Sequence, residues 1–250
     1  MEIILINALL IITGGCIGSF ASMLIYRLPR LNETITIFLP RSFCRHCKIQ
    51  LQIKNLIPFF GFLSSKGKCF NCMEKIDTTY LINEVFITIL TLFIINTLGL
   101  LNPFSWLLLL ILVILYIQAM MDFETLLLSE PLSIGLIFLG LFLNLGFKFF
   151  TVPLDSILGL IFGYGLLYSL NLLHRIIRNI DGIGSGDFLL LGAIGATFGA
   201  SSIGPILLLG SSITLLVYFI KSKDESLQLP LGFGLGLSGV FYCSAFVMIV

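Results

Sequence analysis

Eight apolar windows divide this chain of 250 residues and leave little polar sequence between them. They run approximately over 3–26, 80–101, 104–121, 131–147, 154–173, 187–201, 204–220 and 230–250, the sixth being short and rich in glycine. A helix needs about 20 mainly apolar residues to cross roughly 30 Å of hydrocarbon, and windows of that size bounded by charge, Pro or Gly mark the crossings. With 58% of the residues hydrophobic and 11% charged, against about 25% charged in an average soluble domain, the apolar side chains outnumber what one soluble core could hide. The expectation is an all-α polytopic membrane protein with about eight transmembrane helices. The first window has no basic segment before it and is followed by Tyr26-Arg27 in place of a small-residue cleavage site, so it reads as a membrane helix and not as a signal peptide.

Eight spans put residues 27–79, 122–130, 174–186 and 221–229 on one side of the membrane, and that side holds 13 of the 14 Lys and Arg, Lys148 being the exception. Basic loops are retained in the cytosol. The N- and C-termini are therefore expected outside, and the division is a first helix at 1–26, a cytosolic loop at 27–79 and a seven-helix membrane core at 80–250. The net charge of +1 gives no general attraction for polyanions, and the basic residues of the long loop are those the retention rule already calls for, so no nucleic-acid partner is expected. Spacings of the GxxxG type at Gly159/Gly163, Gly195/Gly199 and Gly232/Gly236 point to close helix contacts in the second half and say nothing about chemistry.

The long loop carries Cys44-Arg45-His46-Cys47 and, after 21 residues, Cys69-Phe70-Asn71-Cys72. Two such pairs supply four thiolates that can close around a tetrahedral zinc ion, each pair on a tight knuckle. Disulfides are the alternative, but a cytosolic loop is kept reduced, which favours a structural zinc on Cys44, Cys47, Cys69 and Cys72. Arg45, Lys48 and Lys68 lie beside the ligands and offset the thiolate charge, while His46 reads as an exposed knuckle residue. Cys16 and Cys243, inside apolar windows, read as buried small apolar residues.

Acidic residues are scarce, so their placement is informative. Asp122 ends the third window and Asp187 opens the sixth, both at the membrane face assigned to the cytosol. Carboxylates on apolar helix ends usually face the bundle interior or a watered cavity. If the two helices are neighbours, one carboxyl of such a pair keeps a proton while the other activates water, which is acid–base peptide hydrolysis without a covalent intermediate. The glycines at 182, 184 and 186 would let an extended peptide approach. On local sequence alone, however, Asp187 as a cap on the sixth helix is the stronger reading. Glu84, Glu124 and Glu130 read as solvated helix-end residues, Asp181 as an auxiliary of the same turn, and His174 as an interfacial anchor. An ion-coupled transporter with a structural zinc loop is the rival reading; it calls for carboxylates near the midplane, in broken helices.

Taken together, Gly18-Ser19-Phe20, Tyr26-Arg27-Leu28-Pro29, the paired CxxC motifs, Asn83-Glu84, Asp122, Gly182-Ile183-Gly184-Ser185-Gly186-Asp187 and Leu229-Pro230-Leu231-Gly232 resemble, in this order, the type IV prepilin peptidase family. The resemblance covers nearly the whole chain. It implies an aspartic intramembrane-type endopeptidase with Asp122 and Asp187 as the catalytic pair. The implied substrate is a prepilin or pseudopilin whose short basic leader, followed by a hydrophobic helix, is cut at the cytosolic face of a bacterial inner membrane. It further implies N-methylation of the new N-terminus with S-adenosylmethionine, and a place in pilus assembly, protein secretion or DNA uptake. The chain differs from the family pattern at Ala21, Arg45, Ser129-Glu130 and Leu189, none of which removes an aspartate or a cysteine.

Overall fold

The structure, a computed structural model, describes residues 2–32, 35–221 and 229–249. The described chain forms helices α1 (Glu2–Arg27), α2 (Phe60–Ser64), α3 (Thr79–Leu98), α4 (Pro103–Thr125), α5 (Glu130–Phe147), α6 (Pro153–Arg178), α7 (Ser185–Phe198), α8 (Ile203–Lys221) and α9 (Leu231–Ile249). Among the described residues there is no strand, only isolated bridges pairing Phe43 with Gln50 and Lys68 with Lys75. The all-α expectation holds. The loop expected at 221–229 lies, apart from its ends, outside the described residues.

Among the described residues seven helices are long and apolar enough to cross a membrane. The sixth expected window is realised as α7, a helix of 14 residues, which at 1.5 Å per residue rises only about 21 Å. Every residue from Leu190 to Phe198 is buried. A helix enclosed by its neighbours is apolar on all sides whatever its length, and α7 is such a helix, shorter than the other apolar helices and buried among them. By contrast Ile161, Phe162, Leu166, Leu170 on α6 and Leu208, Leu215, Leu216, Phe219 on α8 are exposed, as expected of surfaces that meet lipid.

The chain divides into two compact units, residues 1–113 and 114–250, with the boundary inside α4. In the first, α1 packs along α3. Gly14 and Gly18 make that approach possible: a Cβ on either would stand 2.8 Å from the Thr88 Cα and 2.7 Å from the Glu84 Cα, respectively. The buried Asn83 amide donates to the Ser22 hydroxyl across this seam at 3.1 Å.

In the second unit α7 packs against α5 and α6, and α8 against α9. The GxxxG spacings are contact points here. Gly159 of α6 and Gly195 of α7 meet backbone to backbone, and a Cβ on Gly163 would stand 2.5 Å from the Leu191 carbonyl oxygen. A Cβ on Gly236 of α9 would likewise stand 2.7 Å from the Leu115 carbonyl oxygen of α4. Polar groups in this interior are tied. Asn144 of α5 donates to the carbonyls of Ala196 and Thr197 at 3.1 and 2.8 Å and accepts from the Phe150 and Thr151 N–H groups at 3.0 and 3.3 Å. It thereby satisfies the last carbonyls of α7 and the turn after α5 at once.

The α6–α7 seam gives a direct test. Gly159→Leu should destabilise the protein by about 1–3 kcal/mol through overpacking, whereas Gly165→Leu, where a Cβ would meet nothing within 4 Å, should stay within about 0.5 kcal/mol. Thermal unfolding of the two variants in one detergent measures both; equal losses would place the seam elsewhere.

Candidate functional site

Asp122 lies in the last turn of α4 and is buried, with 5% of its surface exposed. Its Oδ2 accepts the Phe233 backbone N–H at 2.8 Å, and the Gly232 N–H also bonds the carboxyl. Both are first-turn groups of α9, where N–H groups have no partner within their own helix and the helix dipole favours a carboxylate. The contact requires glycine at 232, because a Cβ there would stand 3.1 Å from the Asp122 Cγ. Phe123 and Phe233 pack their rings 4.9 Å apart beside it.

Asp187 is the third residue of α7. The N-cap position is Gly184, which offers no side chain, and the Asp187 carboxyl reaches back to the Gly184 N–H, the reach of a capping-box acid. Its Oδ1 is buried and has no hydrogen-bond partner. The capping read from local sequence is thus part of the arrangement and leaves one carboxyl oxygen free. Asp122 is the charged group that acts on the Asp187 carboxyl electrostatically.

One side chain lies between the two helix starts. A Cβ on Gly186 would stand 2.9 Å from the Leu128 Cβ, and a Cβ on Gly232 would stand 2.9 Å from both Leu128 methyl groups. The turn that carries Leu128 is clamped by Gln118, one helical turn before Asp122. The Gln118 Oε1 accepts the Ser129 N–H at 2.9 Å, and its Nε2 donates to the Ser129 carbonyl at 2.9 Å and to the Ser133 hydroxyl at 2.7 Å. Buried mid-window, Gln118 carries no acidic or motif signal; a polar residue in an apolar helix was the only clue to it.

The glycine-rich turn before Asp187 folds back on α6. The Asn171 Oδ1 accepts the Gly182 and Ile183 N–H groups at 2.8 and 3.0 Å, and its Nδ2 donates to Asp181 at 3.1 Å. His174 meets the Ile180 carbonyl at 3.1 Å. Asp181 is exposed and pairs with Arg175 at 3.9 Å, so it braces the turn and does not join the carboxyl pair. Two expectations are corrected. Glu84 is a buried residue of α3 whose Oε2 accepts the Phe59 N–H at 2.7 Å, not a solvated end residue. Cys16 is exposed on α1 while Cys243 is buried, because α1 uses its glycine face for packing and turns the thiol outward.

The four loop cysteines converge. Their sulfurs all lie within 4.8 Å of one another, with Cys44 to Cys72 and Cys47 to Cys69 each at 3.9 Å. A tetrahedron with metal–sulfur bonds of about 2.3 Å has edges of about 3.8 Å, so the set fits a zinc ion. The two knuckles repeat one design: the Lys48 N–H donates to the Cys44 carbonyl and the Met73 N–H to the Cys69 carbonyl, each at 3.0 Å, with Lys48 and Met73 at φ 58° and 57°. The Ile49 N–H holds the Cys47 thiol down to about 6. Cys72, although the Glu74 N–H favours its thiolate, is pushed up to about 12 by burial and by the three thiols around it. Four thiols this close cannot all ionise without a cation among them. His46 is exposed, as expected of a knuckle residue.

Comparison with known proteins bears on the whole chain. Residues 12–98 match the bacterial peptidase A24 N-terminal domain and residues 107–220 match the type IV leader peptidase family. A prepilin leader peptidase/N-methyltransferase of Klebsiella pneumoniae is 34% identical over 82% of this chain and 90% of its own. One of Pectobacterium carotovorum subsp. carotovorum is 29% identical over 92% and 90%, and one of Neisseria gonorrhoeae 29% identical over 91% and 86%. No solved structure matches significantly. Matched in both halves, and built of helices long and apolar enough for a multi-pass inner-membrane protein, the chain belongs to the type IV leader peptidase family.

Proposed function

We propose that this protein cleaves the leader peptide from prepilins or pseudopilins, with Asp122 and Asp187 as the catalytic pair. The observation that supports the reading is that two buried carboxyls act on one another electrostatically where the starts of α9 and α7 both close on Leu128, one held by backbone N–H groups and the other with a free oxygen. Asp122, acceptor of two N–H donors, is the carboxylate that takes a proton from the attacking water. Asp187, whose Oδ1 has no donor, carries the shared proton and gives it to the scissile carbonyl oxygen. As the C–N bond of the resulting diol breaks, the proton held by Asp122 passes to the departing amine and a diol hydroxyl returns its proton to Asp187, which restores the pair. Leu128, seated between the two helix starts, must yield to the substrate backbone, and the braced turn at 182–184 offers a backbone edge for an extended peptide. Both carboxyls lie at helix ends, in the last turn of α4 and the first of α7; this favours hydrolysis over the transporter reading, which calls for midplane carboxylates.

The strong bias of basic residues to one set of loops supports cleavage at the cytosolic face with both termini outside, the substrate helix meeting α6 and α8 from the lipid. The cysteine centre would hold a structural zinc, closing the loop between α1 and α3 and leaving no open coordination position. The relatives' names support a second step, methylation of the new N-terminus, for which S-adenosylmethionine supplies the methyl group.

Asp122→Asn or Asp187→Asn should lower leader removal at least about 100-fold while the protein remains inserted and folded; mass spectrometry of a co-expressed prepilin reads the outcome, and full cleavage by either variant rejects the pair. Metal analysis of the purified chain should find close to one zinc per molecule, lost on Cys→Ser exchange at 44, 47, 69 or 72. Native protein free of metal would remove the zinc assignment.

A further inference from the structure

Leu128 is wedged between two helix starts that both present glycine to it. Gly186 is the second residue of α7 and Gly232 the second of α9. A Cβ added to either would stand 2.9 Å from Leu128, against its Cβ in the first case and against both its Cδ atoms in the second. Carbon atoms in contact stay about 3.5–4.0 Å apart, so one leucine side chain fills the gap and leaves no room on either flank. The Cβ position of Gly232 also lies 3.1 Å from the Asp122 Cγ, and Gly186 directly precedes Asp187. Leu128 therefore occupies the space beside both carboxyls.

The side chain is free to turn, while the backbone beneath it is fixed. Leu128 is half-buried, but Ser129 beside it is buried and is gripped by Gln118 through its N–H and its carbonyl, each at 2.9 Å. On the other side, the Leu126 N–H closes the end of α4 on the Asp122 carbonyl at 2.9 Å, with Leu126 at φ 56°. A non-glycine residue keeps that left-handed conformation only where its surroundings hold it there. A substrate segment can swing the leucine side chain aside. It cannot push the turn away without stripping the buried Gln118 amide of its partners. Once displaced, Leu128 remains as a wall of the cleavage slot, opposite Gly186 and Gly232.

The scissile carbonyl must reach the free Asp187 oxygen while water stands at Asp122, so the residue that owns this carbonyl, the last of the leader, passes over Leu128. A wall packed this closely selects by collision. Resting on the peptidase reading above, we propose that Leu128 is a specificity-determining residue: it sets how large the last leader residue can be, admitting the smallest and excluding branched ones. It takes no part in proton transfer.

The test is cleavage of one prepilin in three forms, with Gly, Ala or Val as the last leader residue, by the purified full-length chain in detergent. Mass spectrometry follows the product and gives kcat/KM for each form. The wild-type order should be Gly, Ala, Val, with Val at least about 100-fold below Gly; Leu128→Ala should narrow that gap at least about tenfold, within what one or a few carbon atoms decide in a packed pocket. Leu127→Ala, at the exposed neighbouring position, should keep the wild-type ratio. Each ratio is taken within one variant, so a general loss of activity does not move it. An unchanged ratio in Leu128→Ala, or a wild type that cleaves the Val form as readily as the Gly form, overturns the proposal and leaves the peptidase reading intact. A folded Leu128→Ala that cleaves no form overturns it as well, because Leu128 would then serve the reaction itself. If Leu128→Ala does not fold, Leu128→Val decides, with a shift in the same direction expected and a wild-type ratio overturning the proposal. Failure of the folded wild type to cleave any form counts against the peptidase reading instead.

Discussion

A polar atom buried away from water costs several kcal/mol unless it finds a partner, and in a chain enclosed by hydrocarbon no solvent is at hand to supply one. Most of this structure obeys that constraint closely. Asn144 makes bonds at both ends of its amide, Gln118 does the same around Ser129, and Asn83 finds Ser22 across the α1–α3 seam. Among the described residues two buried side-chain atoms stand outside it, Asp187 Oδ1 and Arg45 Nε. One belongs to the carboxyl pair and the other to the first cysteine knuckle, where Arg45 stacks on Tyr26 and Tyr80. Unpaired atoms of this kind call for a partner from outside the chain.

The two carboxyls differ through their neighbours and not through their own chemistry. Asp122 sits on a helix end and borrows the N–H groups of another helix, 111 residues further on in the sequence. Asp187 sits at the start of its own short helix, which glycine contacts at 159 and 195 hold tightly against α6. The site is therefore assembled by helix starts converging on one another, with glycine wherever a side chain would keep them apart. The clamp by Gln118 belongs to the same design, because it fixes the turn whose Leu128 fills the space between Gly186 and Gly232.

Much of this was legible beforehand. The cysteine spacing implied a four-sulfur centre, and the sulfurs converge; the scarcity of acidic residues singled out Asp122 and Asp187. The misreadings share a cause. Local sequence does not show which helix the others enclose, as they do α7, nor which face of a helix meets a neighbour, and for that reason Glu84 reads as solvated and Cys16 as buried in the sequence while the structure has the reverse. Gln118, Asn171 and the α9 N–H groups act on residues far away in the chain, and no short-range pattern announces such contacts.

What the amino-acid order determined alone is the solvent of this protein, its helices and the chemistry available to it: apolar runs of spanning length, two cysteine knuckles and two isolated carboxyls. Periodicity and spacing are local properties, and they survive in any packing of the helices. Only the tertiary structure decided which carboxyl is held by backbone donors and which keeps a free oxygen, and that Arg45 stacks between two tyrosines with a donor unspent. Those distinctions arise from contacts between distant segments, where a few tenths of an ångström at a glycine separate a bonded group from an open one.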